Sequence, residues 1–219
     1  MEQNKIERKV KIWSVGKIII GFIVGVYIII LIVGRLALED DKKTVEQVAK
    51  IHNTKITMND VLGTNLPPEP SNPDETVQGV DANNNGIRDD VELDIFEAYP
   101  NSQKTRAVLL QYALTQQMAV NQPIENAETA NAVAGEDSRA YGCIGDGKWI
   151  IINILRENST DKDVEKARAL GYELREFIEK RQENTKDRKT AIHDFYELLI
   201  DSSDDIGGKC DIDLSTLPD

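Results

Sequence analysis

Ile18 to Gly34 is an unbroken run of seventeen uncharged residues, IIIGFIVGVYIIILIVG. Its length matches the roughly 17–25 apolar residues that cross a bilayer as a helix. Arg35 can snorkel to the headgroups, so the span extends over Leu36, Ala37 and Leu38 and the transmembrane anchor is placed at 18–38. Trp13 is spaced as an interfacial anchor. A cleaved signal peptide has an apolar core of roughly 7–15 residues followed by an A-x-A site. This run is longer and no such site follows it, which predicts an uncleaved anchor. Lys5, Arg8, Lys9, Lys11 and Lys17 precede the span, and Arg35, Lys42 and Lys43 follow it. That bias predicts a basic cytoplasmic N-terminus over 1–17 and a C-terminal body across the membrane. Gly21 and Gly25 form a GxxxG pair, through which two spans could pack as a homodimer.

Beyond the anchor the pattern weakens, and residues 39–80 read as a connector. Thr44 to His52 has Val45, Val48 and Ile51 on one side and predicts a short helix. Pro67-Pro68-Glu69-Pro70-Ser71-Asn72-Pro73 predicts a stiff, extended, polar segment that holds the body off the bilayer.

From Asp89 onward apolar residues recur at helical spacing. Val91, Ile95 and Tyr99 form one stripe, stopped at Pro100. Ala107, Leu110, Leu114 and Met118 form a second, opened by Asn101 or Ser102 as cap and stopped before Pro123. Ile124 to about Gly142 is a weaker, Ala-rich helix. Lys148 to Arg156 is apolar enough for a buried helix, and Asp161 to Asn184 carries Val164, Ala167, Leu170, Leu174 and Ile178 on one face. Ile192, Phe195 and Leu199 mark the last helix. No stretch alternates as a half-buried strand does. The fold class expected is all-α: an N-terminal transmembrane helix, a linker, and a helical bundle of about five or six helices over 89–219.

Charge divides the chain. The net charge is −12, and residues 1–35 hold six basic and two acidic residues, so the remainder carries −16. Such a body repels nucleic acid and anionic lipid and attracts divalent cations and basic partners. Cys143 and Cys210 are the two cysteines, both beyond the anchor, and in an oxidising compartment they read as a disulfide.

The segment that specifies a chemistry is Asp81-Ala82-Asn83-Asn84-Asn85-Gly86-Ile87-Arg88-Asp89-Asp90-Val91-Glu92. Oxygen side chains stand at loop positions 1, 3, 5, 9 and 12, with Gly at 6. Calcium takes six to eight oxygens at roughly 2.3–2.6 Å, which a short loop supplies only by curling tightly. Asp81, Asn83 and Asn85 then face one centre, and Gly86 permits the sharp turn. Ile87 offers its backbone carbonyl, Asp89 ligates directly or through water, and Glu92 closes the shell from the first turn of the next helix. The ligand set expected for Ca2+ is therefore Asp81, Asn83, Asn85, Ile87, Asp89 and Glu92.

This pattern, D-x-N-x-N-G-x-x-D-x-x-E, resembles the calcium loops of the EF-hand superfamily and the acidic repeats of thrombospondin type 3 and dockerin modules. The longer run from Leu66-Pro67-Pro68 through Gly79-Val80-Asp81 to Glu92 is similar to a motif in uncharacterised bacterial envelope proteins. That likeness implies no known activity; the uncleaved anchor and the charge bias predict a single-pass inner-membrane protein with a periplasmic or extracellular domain. Two features depart from a paired EF-hand. Position 8 is Arg88, with the aliphatic Ile87 one place earlier, and no second loop has the spacing; the acidic stretch Asp201-Ser202-Ser203-Asp204-Asp205 fails the pattern. A single loop carrying three formal charges predicts a Kd of roughly 10⁻⁵ to 10⁻³ M.

Catalytic motifs are absent from the sequence: there is no Ser/His/Asp motif, glycine-rich phosphate loop or HExxH. His52 and His193 read as solvated, and Glu173, Glu176, Glu179, Glu183 and Glu197 alternate with Lys and Arg as on a solvated helix face. Glu136 and Asp137 could act as paired carboxylates in a cleft, but nothing in the sequence positions a substrate between them. The reading that follows is a calcium-stabilised binding or scaffold module that presents an acidic helical surface to a protein partner. The alternatives are an envelope hydrolase with carboxylate catalysts and a calcium-responsive sensor.

Overall fold

The structure, a computed structural model, describes residues 2–124, 126–145, 161–199 and 210–218. All regular structure among the described residues is helical, as the apolar spacing predicts. The elements are α1 (Glu2–Asn53), α2 (Met58–Leu62), α3 (Asp89–Ala98), α4 (Gln103–Asn121), α5 (Ala127–Gly145), α6 (Asp161–Gln182) and α7 (Lys186–Glu197), followed by a 3₁₀ turn at Leu214–Thr216. The apolar segment 148–156 lies outside the described residues. The chain divides into two compact units, 1–46 and 47–219.

The first unit is helical throughout its described length. The apolar side chains from Ile20 to Val33 are exposed, as expected of a surface that faces lipid. This is the one helix among the described residues that is long and apolar enough to cross a membrane.

The second unit is built around α4. Every residue of α4 from Thr105 to Met118 is buried, so this helix needs neighbours on all sides. It packs against α2, α3, α5, α6 and α7. Ser102 caps its start by accepting a hydrogen bond from the Thr105 amide. The polar residues of so buried a helix must find partners, and they do. Arg106 donates to the carbonyls of Val61, Tyr99 and Pro100, while Gln117 donates to Gln78 O. Thr115 and Gln116 donate to Asp137 on α5.

The expected connector over 39–80 requires correction. The helix foreseen at Thr44–His52 is the end of α1, and residues 47–80 belong to the compact second unit. Ile51, Ile56 and Val61 are buried in its core. The Pro-rich stretch is no free spacer either. Arg188, 1 % exposed, donates from Nη2 to the carbonyls of Pro73 and Thr76, from Nε to Val77 O, and from Nη1 to Asp74 and Asn184. Prolines extend the backbone and expose its carbonyls, and a buried guanidinium on α7 takes the place of water at them. That hold also keeps the Asp74 carboxyl below its usual pKa.

Cys143 on α5 and Cys210 form the expected disulfide, with Cα atoms 5.0 Å apart. A closed loop of this length contributes roughly 4 kcal/mol in the chain-entropy treatment. The bond brings the C-terminal segment onto the unit, where Leu217 is buried. There Asp211 pairs with Arg139 at 2.6 Å, and its amide donates to Gln111 Oε1 at 2.8 Å.

Arg188→Met is expected to lower the unfolding free energy by about 2–4 kcal/mol and to open residues 71–79 to limited proteolysis. Urea titration and mapping of the cleavage sites check both effects.

Candidate metal centre in the loop 81–92

The loop runs into the N-terminus of α3, and Asp89 N donates to Val80 O at 2.8 Å to close its two ends. Gly86 has φ +87°, the left-handed conformation that its position in the motif demands. A Cβ there would lie 2.8 Å from Leu114 Cδ1. Asn84 takes φ +58°, which Asn tolerates better than most residues.

The side-chain oxygens are organised by the loop's own amides. Asp81 Oδ1 accepts from Asn85 N at 3.1 Å and Oδ2 from Gly86 N at 3.0 Å. Asn83 Oδ1 accepts from Asn85 N at 3.2 Å, and Asn85 Oδ1 from Ile87 N at 2.9 Å. Both Asp89 oxygens accept from Ala82 N, at 3.0 and 3.2 Å. Each bond uses one lone pair and leaves others for a further partner. Glu92, in the first turn of α3, accepts from Asn83 Nδ2 at 2.9 Å. The Ile87 side chain is wholly buried in the core, so only the backbone of this residue is available to the loop.

Burial makes the site electrostatically expensive. Asp89 is 0 % and Glu92 1 % exposed. Burial pushes the Glu92 carboxyl up to about 7, against the hydrogen bonds from Asn83 and Asn85 and with the charges of Asp60 and Asp89. Burial also raises Asp89, with help from the charges of Asp81 and Asp90. Arg88, the nearest cation in sequence, does not neutralise them. It donates to Asp90 at 2.7 and 2.6 Å and to Arg181 O at 3.1 Å. It lies beneath Gly79, where a Cβ would come 2.4 Å from Arg88 Cδ.

One contributor was not foreseen. Asp60 on α2, 9 % exposed, accepts from Asn85 Nδ2 at 3.4 Å through Oδ1. The only signal for it in the sequence is Thr57-x-x-Asp60, a capping-box spacing that predicts a helix start and not an acid beside the loop. Among the described residues no Lys, Arg or His pairs with Asp60, Asp81, Asp89 or Glu92. Nor do three Asp, Glu, His or Cys side chains converge as a metal cluster among those residues. A cation here would therefore be held by the Asn83 and Asn85 amide oxygens and a backbone carbonyl as well as by carboxylates. Hard oxygens of this mixed kind suit calcium.

Glu136 and Asp137 do not form a pair. Glu136 meets His52 at 2.8 Å, Arg139 at 2.7 Å, and Lys55. Burial would raise its carboxyl, but the hydrogen bonds from His52, Lys55 and Arg139 outweigh that and hold it below the usual carboxylate range. His52 is thus engaged, whereas His193 is exposed. Asp137 turns to α4, accepting from Thr115 at 3.0 Å and Gln116 at 2.7 Å, and burial raises its carboxyl. A recess lined by Ser71, Asn72, Pro73, Asp74 and Glu75 belongs to the loop that Arg188 holds. The acidic stretch 201–205 lies outside the described residues. No protein-family model, curated protein or solved structure matches this chain.

Because Asp137 is raised in the folded state, its contribution is intact below the unfolded pKa of about 3.9 and is lost as pH climbs through the folded value. Both of its hydrogen bonds fall on Oδ1, which Asn retains. Asp137→Asn is expected to raise the melting temperature at pH 8 by about 2–4 °C, equivalent to about 1 kcal/mol in a unit of this size. The gain should vanish near pH 4, and melting curves at the two pH values test this.

Proposed function

We propose that this chain is a membrane-anchored, extracytoplasmic calcium-binding protein in which the ion has a structural role, and that its helical unit is a non-enzymatic binding or scaffold module. One observation carries the reading: Asp89 and Glu92 are fully buried in a loop that also holds Asp81 and is joined to Asp60, and among the described residues no basic side chain pairs with any of the four. Buried charge is retained where something compensates it. A divalent cation would do so at a loop whose oxygens are already oriented by the amides of residues 82, 85, 86 and 87.

The anchor reading rests on the apolar helix, and its orientation on the excess of Lys and Arg before the span. The Cys143–Cys210 bond supports an oxidising compartment for the body. The net charge of −16 beyond residue 35 favours a basic partner surface.

At 1 mM calcium and a Kd of 10⁻⁵ to 10⁻³ M, linkage stabilises the fold by roughly 0.4–2.7 kcal/mol. Calorimetry and melting of the full chain in detergent micelles should show saturable one-site binding and a raised melting temperature. The double variant Asp81→Ala/Glu92→Ala should lose both responses. Absence of binding up to about 10 mM, beyond the weakest class of such loops, would reduce the motif to a helix-capping turn.

A further inference from the structure

The turn between α1 and α2, residues 54–57, is held from three sides. α1 ends where Thr54 N and Oγ1 donate to Lys50 O. From α5, Glu136 receives His52 and Lys55. From the C-terminal segment, Asp211 Oδ2 accepts from Ile56 N at 3.2 Å. The third hold is Asp60. Its Oδ2 accepts from Thr57 N and Thr57 Oγ1, each at 2.7 Å, and forms the capping box of α2. Its Oδ1 accepts from Asn85 Nδ2 in the loop. One carboxylate therefore serves both the turn and the loop.

The three holds differ in sign. Glu136 and Asp211 meet Lys55, His52 and Arg139, which are attractive partners. Asp60 shares Asn85 with the loop and lies close enough to Glu92 for their like charges to interact, and among the described residues no cation pairs with either. Like charges push it away from the loop, and it cannot withdraw Oδ1 without moving Oδ2 off Thr57. A cation in the loop reverses that field.

We infer that Asp60 is a positioning residue that couples cation occupancy of the loop to the order of the α1–α2 turn. This rests on the calcium reading of the loop. The ligand acts because it interacts differently with the two arrangements of Asp60, drawn in or pushed out, which is what a population shift requires. The turn is the point at which the chain leaves the helix that carries the candidate membrane span.

The test is amide hydrogen exchange of the full chain in detergent micelles, with and without calcium chloride at constant ionic strength, alongside calorimetry. Calcium should slow exchange at residues 54–62 by about tenfold, together with the loop amides 82–87. Asp60→Asn keeps an acceptor for Thr57 but removes the charge and turns a donor toward Asn85 Nδ2, which severs the link to the loop. In it, at a calcium concentration that saturates the variant by calorimetry, the loop amides should still be protected while exchange at 54–62 no longer responds. Asp60→Glu keeps the charge and is a usual residue at this capping-box position, so it should restore the response. If Asp60→Asn does not fold, Asp60→Ser is read in the same way.

The coupling is overturned if 54–62 slows equally in Asp60→Asn, or if it fails to slow in the unaltered chain while the loop does. Absence of calorimetric binding in the unaltered chain overturns the calcium reading and the coupling with it.

Discussion

Uncompensated negative charge at the entrance to α3 is the constraint on which the second unit turns. Asp81, Asp89 and Glu92 are placed in or beside the loop by its curl and by the first turn of α3, and Asp60, held by the capping box of α2, is joined to it through Asn85. Leaving such groups charged and dry costs several kcal/mol each unless a partner is present. Protons or a cation can serve. Protons would neutralise the carboxylates one at a time, and the rise of Glu92 to about 7 shows how strongly burial favours that outcome for it. A divalent ion would neutralise several at once and satisfy the amide oxygens that protons leave idle.

The arginines make the contrast sharper. Arg88, Arg106 and Arg188 are all buried; Arg106 and Arg188 are directed at backbone carbonyls where helices end or the chain is irregular, and Arg88 at Asp90 and the Arg181 carbonyl in the last turn of α6. Arg106 gathers the end of α3 and the end of α2, while Arg188 gathers the Pro-rich stretch. A planar fork with five donors suits this task better than a lysine does. The unit thus spends its buried positive charge on backbone carbonyls and on Asp74 and Asp90, and among the described residues none of it on Asp60, Asp81, Asp89 or Glu92. The Gly79 position fits the same scheme, since φ +73° and the close approach of Arg88 both require a residue without Cβ.

Much of this was legible in the sequence because its signals are local. Periodicity placed α3, α4, α6 and α7 within a few residues, and Ser102 was readable as a cap. The positive φ of Gly86 and the place of Glu92 in a first helical turn follow from the motif's spacing. The pairing of Cys143 with Cys210 was readable because two cysteines admit one internal bridge. What was not legible depends on long-range contacts. The segment 47–80 is polar and Pro-rich, and its stretch at 73–77 is held by Arg188, more than a hundred residues away. The engagement of His52 needs Glu136, and the role of Asp60 needs Asn85. None of these pairs leaves a spacing that a single chain displays.

The claim that the acidic loop is compensated by one bound divalent ion is tested most directly at the amides that orient its oxygens. In a ¹H–¹⁵N spectrum of the full chain in micelles, the account predicts that Asn85, Gly86 and Ile87 shift together on adding calcium, saturating with one midpoint between roughly 10⁻⁵ and 10⁻³ M. Small unsaturable shifts scattered over the acidic surface, with these three amides unmoved, would contradict it.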